Sequence, residues 1–255
     1  MRNLAIIQAR MGSSRLPGKV MLELAGKTVI ECVVDRVLKS ELVDDVVVAT
    51  SIDKGNLPLI EKCAAKGIRI FCGSEDDVLD RFYQAAKLFQ PENVIRITAD
   101  CPLLDPQVVD QVVRRHMETG ADYTSNTIEP TYPDGLDCEI MKYSVLHETW
   151  KKAKLASDRE HVTQYIIHHD FEKQCVRNDI DYSAERWTID TPEDYALIKK
   201  IYDAEECENG DFNSVVKYLD QHPELRTLNS QFERNEGLIK SLNNDHNMVL
   251  DEEEV

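Results

Sequence analysis

Residues 9–19 read A-R-M-G-S-S-R-L-P-G-K and gather Arg10, Arg15 and Lys19 around Gly12, Ser13, Ser14 and Gly18. Each type has a use in holding an anion. The cations supply charge, the serines supply hydroxyl and amide donors, and the glycines let the backbone approach a ligand closely. A loop of this kind can wrap a polyphosphate, and the competing reading is a solvated basic turn. Two commoner phosphate loops fail on spacing. A Walker loop needs four residues between its glycines and a Ser or Thr after the lysine, whereas here residues 13–17 intervene and Val20 follows Lys19. The G-x-G-x-x-G of nicotinamide and flavin enzymes is also missing.

Carboxylates form the second set. T-A-D-C-P-L-L-D-P (98–106) puts Asp100 just past an apolar, β-branched run, and R-W-T-I-D (186–190) puts Asp190 at a similar corner ahead of T-P-E-D. Magnesium takes one or two carboxylates and completes its shell with phosphate oxygens and water, so two such corners could face one ion. A turn or cap role serves Asp100 equally well, and Asp105 and Asp194 read as turn and cap residues.

Three further segments carry polar groups suited to a ligand. G-S-E-D-D-V-L-D-R-F (73–82) opens a helix with an acidic cluster that the helix dipole alone could explain, and it contains Asp77 and Arg81. T-Y-P-D-G-L-D-C-E (131–139) offers Tyr132, Asp134, Gly135, Asp137 and Glu139, either as a hydroxyl-binding loop or as a plain P-D-G turn. S-D-R-E-H-V-T (157–163) brings Glu160 and His161, the latter either a base or a helix-surface histidine. His168 and His169 diverge by about 100° on a helix and receive no role.

The elements that must position these residues follow from periodicity. Strands are expected at 4–9, 45–50, 68–73, 93–99 and 121–126, with helices near 28–39, 56–66, 77–89 and 106–119 between them. That alternation predicts an α/β fold: a doubly wound, mostly parallel, Rossmann-like sheet whose carboxyl edge carries the basic loop and Asp100. The second half reads as strands at 138–142 and 186–190 and helices at 143–155, 158–169, after Thr191, and at 211–222. The expected organisation is one domain over 1–230, with a regular half (1–126) and a smaller irregular half (127–230), which the resemblance described below makes the nucleotide-binding and sugar-binding halves. A polar, acidic C-terminal tail (231–255), mobile or partner-dependent, follows.

Composition narrows the class. The chain of 255 residues has a net charge of -17, which repels phosphate polymers, so no nucleic acid partner is expected. No apolar run approaches the ~20 residues of a membrane span. Seven scattered cysteines without a C-x-x-C pair indicate neither a disulfide framework nor a zinc site, and together with an N-terminus lacking a cleavage site they point to the cytoplasm.

The run A-R-x-x-S-x-R-L-P-G-K, continued by M-L-E-L-A-G-K-T-V-I (21–30), resembles the opening of the cytidylyltransferase family, the CMP-KDO and CMP-sialic acid synthetases. It is most similar to the spore-coat polysaccharide biosynthesis protein F group within that family. The resemblance implies a nucleotide-diphospho-sugar transferase type of fold. It also implies CTP held by Arg10, Gly12, Ser13, Arg15 and Lys19, and Mg2+ on Asp100 and Asp190. Thr98-Ala99 departs from the residues usual before the first aspartate. The D-V-L-x-R pattern extends the implied nucleotide or sugar pocket to Asp77 and Arg81, and residues 157–163 resemble the group's second substrate segment. The implied reaction is attack of the anomeric hydroxyl of an acidic sugar, KDO-like or nonulosonate, on the α-phosphorus of CTP, releasing pyrophosphate for surface polysaccharide biosynthesis. A homodimer is implied as well. Two rivals stay open. A nucleotide-sugar-dependent glycosyltransferase would hold its metal on a pair such as Asp137 and Glu139, and a non-catalytic nucleotide-binding module would keep the fold without turnover.

Overall fold

The computed structural model describes residues 2–204, 207 and 210–253, with the side chains of the last helix described through Asp245. The strands are β1 (Asn3–Gln8), β2 (Glu23–Leu24), β3 (Lys27–Thr28), β4 (Asp45–Ser51), β5 (Ile70–Gly73), β6 (Asn93–Thr98), β7 (Tyr123–Ser125), β8 (Glu139–Lys142) and β9 (Lys173–Cys175). The helices are α1 (Val29–Val37), α2 (Leu57–Ala65), α3 (Val78–Phe89), α4 (Pro106–Thr119), α5 (Tyr143–Lys152), α6 (Ala156–His161), α7 (Gln164–His168), α8 (Pro192–Tyr202), α9 (Phe212–Gln221) and α10 (Glu236–Glu253).

Seven strands form one sheet in the order β5-β4-β1-β6-β8-β7-β9, and β2 pairs with β3 in a separate hairpin. All pairs of the large sheet are parallel except those of β8, which runs antiparallel to both β6 and β7. The near-continuous apolar runs of β1 and β4 follow from burial on both faces. Ala5, Ile7, Val46 and Val48 pack against Ile30 and Val33 of α1 and Val109 and Val112 of α4. Their neighbours Leu4, Ile6, Val47 and Ala49 pack against Phe82 of α3, Leu146 of α5 and Ile166 of α7. A third core beside the sheet unites Leu136 and Trp187 with Leu197 of α8 and Leu219 of α9. This is the expected doubly wound, mostly parallel architecture.

The chain leaves β1 for β4 and β5 on one side and returns to β6 on the other, so the strand order reverses between β1 and β6. Open α/β sheets bind ligands at that switch point, outside the carboxyl ends of the strands. Gln8 lies beside Thr98 in the register, which sets the basic loop after β1 next to Asp100 after β6.

Three expectations change. Residues 186–190 form no strand; Arg186 makes a single bridge to Asp134, and the segment is otherwise tied to loops, with Trp187 N–H donating to Asp134 O at 2.6 Å and Ile189 N–H to Asp100 O at 2.8 Å. Residues 158–169 are two short helices, because Val162 has φ 64 and ψ -49 and the Thr163 amide donates back to His161 O. That is a γ-turn, strained for a β-branched residue and held by complete burial of the side chain. Within 231–253 the chain forms α10, which lies on α6 through Ser241 and Asp245. No helix among the described residues is long and apolar enough to cross a membrane.

Candidate active site

The loop after β1 is shaped from within. The amides of Ser13 and Gly18 both donate to Met11 O, and the Met11 amide donates to the Asn56 side chain at 2.8 Å. Gly18 takes φ 74 and starts a short 3-10 turn in which Val20 is buried in the core. Anchoring Val20 turns Lys19 the other way, toward the carboxyl edge of the sheet.

There Lys19 Nζ lies 2.6 Å from Asp100 Oδ2 and 2.5 Å from Asp190 Oδ1. One ammonium therefore joins the two strand-end corners. Burial alone would lower the lysine's pKa, but the charges of Asp100 and then Asp190 more than reverse that, so it is held above the usual lysine range. Burial would likewise raise Asp100, and the Lys19 ammonium outweighs it, holding the carboxyl at about 2. Arg15 Nη2 reaches Asp190 Oδ2 at 2.9 Å.

Asp190 is held in place from behind. Thr191 caps α8 and its amide donates to Asp194, while the Asp190 amide donates to Asp194 Oδ2 at 3.0 Å. Arg186 links this cap to two other carboxylates, contacting Asp194 at 3.0 Å, Asp190 at 2.9 Å and Asp134 at 2.8 Å. Asp194, completely buried, also accepts from Asn229 at 2.8 Å. The capping role expected of Asp194 is present, together with that of Asp105 at the start of α4.

A cavity of about 550 Å³ opens at this edge. Of the residues singled out in the sequence, Arg10, Ser13, Arg15, Lys19, Arg81, Asp100, Asp134, Asp137, Glu139, Glu160, His161 and Asp190 line it. Arg81 is 2% exposed, donates to Ser74 O at 2.8 Å, and leaves its Nε without a partner, a buried cation of the kind an anionic ligand satisfies. Burial lowers its pKa.

Four of the expected residues lie off the wall. Asp77 caps α3 and forms its ion pair with Arg159 at 2.9 Å, while its charge also favours the Arg81 guanidinium. Tyr132 is buried against Phe212, with its hydroxyl donating to Gln111 at 2.9 Å. Gly12 belongs to the loop without facing the cavity. Gly135 has φ 117 and packs under the 186–190 segment; a Cβ there would stand 2.5 Å from the Trp187 carbonyl carbon. Its contribution is positional, since this close approach lets Asp134 and Asp137 meet the arginines beyond.

A row of carboxylates, Asp134, Asp137 and Glu139, lines another part of the cavity. Burial first and Asp137 next push Asp134 up to about 7, against Arg234 and Arg186. Asp137 is raised by burial despite its ion pair with Arg234, with Glu139 adding to the rise. Glu139 is fully engaged, accepting from Tyr123 and Thr163 and pairing with Arg96. His161 is held below the usual histidine range by burial, against Glu160, and its Nε2 lies 3.0 Å from the Ser241 hydroxyl.

The chain's residues 4–225 match the family model described as cytidylyltransferase. The chain belongs to the cytidylyltransferase family. Among relatives of this cytidylyltransferase, the spore coat polysaccharide biosynthesis protein SpsF of Bacillus subtilis is 35% identical over 235 residues, covering 88% of this chain and 96% of that protein. The 3-deoxy-manno-octulosonate cytidylyltransferase of Anaeromyxobacter dehalogenans is 39% identical over 125 residues, 47% of this chain and 49% of that one. A solved cytidylyltransferase from Leptospira borgpetersenii superposes with a TM-score of 0.86 at 28% identity, covering 92% of this chain and all of that one.

Several residues that line the cavity, or in the case of Arg234 pair with its wall, carry no sequence signal of their own. Arg186 is the chief one, visible only as a residue four before Asp190 and eight before Asp194. Arg96 sits mid-strand, and Arg234 and Glu236 lie in the segment read as a tail. Thr163 enters only because the Val162 turn redirects the chain.

Proposed function

We propose that this cytidylyltransferase transfers CMP from CTP to the anomeric hydroxyl of an acidic sugar, KDO-like or nonulosonate, and releases pyrophosphate for surface polysaccharide biosynthesis. The observation that carries the proposal is Lys19 held between Asp100 and Asp190 at the switch point, beside Arg15 and within the same cavity as Arg10 and Arg81. The names of the relatives supply the cytidine and the sugar class.

The donor set suits magnesium. Two carboxylates already converge on one cation, and among the described residues no group of three or more His, Cys, Asp and Glu is arranged to hold an ion alone. An ion that completes its shell with phosphate oxygens and water fits such a pair, so Asp100 and Asp190 would hold Mg2+. When bound, that ion would neutralise charge developing on the phosphate oxygens.

The chain's own part is electrostatic and positional. Arg10, Ser13, Arg15 and Lys19 would bind the triphosphate; Lys19 would turn from Asp100 and Asp190 to the phosphates as Mg2+ takes its place between them, and Lys19 and Arg15 would meet the charge growing on the leaving pyrophosphate. The sugar hydroxyl is the nucleophile: its oxygen bonds to the α-phosphorus as the bond to the pyrophosphate oxygen breaks, and its proton passes to water. Asp134 and Asp137 offer acceptor oxygens to sugar hydroxyls, and Arg96 and Arg234 bring positive charge to that wall. Arg186 would keep Asp190 and Asp134 in register across the gap.

A pyrophosphate-release screen with magnesium tests this reading. Nucleoside triphosphates are paired with KDO, sialic, legionaminic and pseudaminic acids, and release is expected from CTP with one of the acids. Release from another triphosphate alone, or sugar transfer from a preformed nucleotide-sugar without free triphosphate, would overturn it.

A further inference from the structure

Arg15, a loop cation placed to receive phosphate, already has an anionic partner from outside the residues matched by the family. Its guanidinium pairs with Glu236, the first residue of α10, as well as with Asp190. The segment before α10 is gripped at several points. Arg234 pairs with Asp137 and donates to Tyr132 O at 3.1 Å, Arg186 donates to Glu233 O at 3.4 Å, and the Glu233 amide donates to Glu236 at 3.2 Å. Asn235 turns the chain into the helix with φ 63. Residues 235–238 line the same cavity as Lys19 and Asp100.

Beyond that point α10 is anchored independently of the loop. The Ser241 hydroxyl donates to Glu160 at 2.7 Å and meets His161, and Asp245 accepts from the Ser157 amide at 3.1 Å. The stretch 235–238, between the Arg234 and Ser241 anchors, can therefore shift while the body of α10 stays on α6. The Arg15–Glu236 pair is open to water: both side chains are more than a third exposed, so the attraction is screened. A triphosphate entering the loop brings several negative charges to Arg15, and a carboxylate left among them would be repelled.

We propose that Glu236 is an internal competitor of the nucleotide: it holds Arg15 in the ligand-free enzyme and is displaced, with the start of α10, when phosphate binds. The inference rests on the reading of the loop as the triphosphate site, and it adds a segment that tunes nucleotide affinity. Because the competition is for phosphate, it is independent of the base.

Calorimetry with tripolyphosphate on the full chain tests it. Glu236→Gln is expected to bind tripolyphosphate roughly two- to five-fold more tightly than the unaltered protein, the scale of one partly exposed ion pair. The gain should vanish when Arg15→Ala is added, since the contest is over that side chain. A gain that persists with Arg15→Ala, or equal affinities with and without Glu236→Gln, would overturn the proposal while leaving the loop as an anion site. No binding by either protein would overturn the loop reading and this proposal together. Hydrogen exchange on the unaltered protein gives a measure that needs no variant: the Ile239 amide, bonded to Asn235 O, should exchange faster with tripolyphosphate, and unchanged or slower exchange would contradict displacement.

Discussion

Replacing Lys19 by methionine keeps the apolar stem of the side chain and removes the one ammonium shared by Asp100 and Asp190. The Lys19 side chain is 12% exposed and that of Asp100 22%, so screening is limited. Asp100 titrates at about 2 in the fold against an ordinary 3.8. At 1.36 kcal/mol per unit that difference is about 2 kcal/mol of stability. A depressed carboxylate contributes stability fully present above its unfolded value and lost as pH falls through its folded one. The loss in Lys19→Met is therefore expected in full at pH 6–8, to narrow below about pH 4, and to disappear near pH 2. Urea denaturation of both proteins across pH 3–8 reads it, and thermal melts at neutral pH should show a fall of roughly 5 °C in melting temperature. No loss at pH 7, or a loss as large at pH 3 as at pH 7, would refute the assignment of Lys19 as the counter-charge of Asp100.

Other expectations follow from the supports behind the site. Arg186→Lys keeps the charge but cannot serve Asp134, Asp190 and Asp194 from one planar group; it should cost about 2–3 kcal/mol in urea denaturation and lower turnover. Gly135→Ala places a methyl 2.5 Å from the Trp187 backbone at φ 117. It should destabilise the chain by about 2–3 kcal/mol in thermal melts and weaken sugar binding more than tripolyphosphate binding.

The first half of the fold was legible because its strands are buried on both faces and its helices open with plain caps, such as Thr28 with Glu31 and Asp105 with Pro106. Arg10, Arg15 and Lys19 were legible because a basic loop stands out in a chain of net charge -17. The γ-turn at Val162 was not, since a β-branched residue at positive φ is fixed by its buried surroundings and leaves no Gly, Pro or Asn behind. The stretch 186–190 looks like a strand locally, yet its amides answer to Asp134 and Asp100, each more than fifty residues away in the chain. Residues 236–245 are polar enough to read as a tail. Their helix is held by long-range partners, Ser157, Glu160 and His161, that no local pattern announces.

Everything proposed for the site depends on the loop after β1 holding the triphosphate of CTP. Calorimetry of CTP with magnesium, on the unaltered protein and on Arg15→Ala/Lys19→Ala, tests it most directly. The double variant should lose at least tenfold in affinity, and unchanged affinity in a folded double variant would contradict the claim.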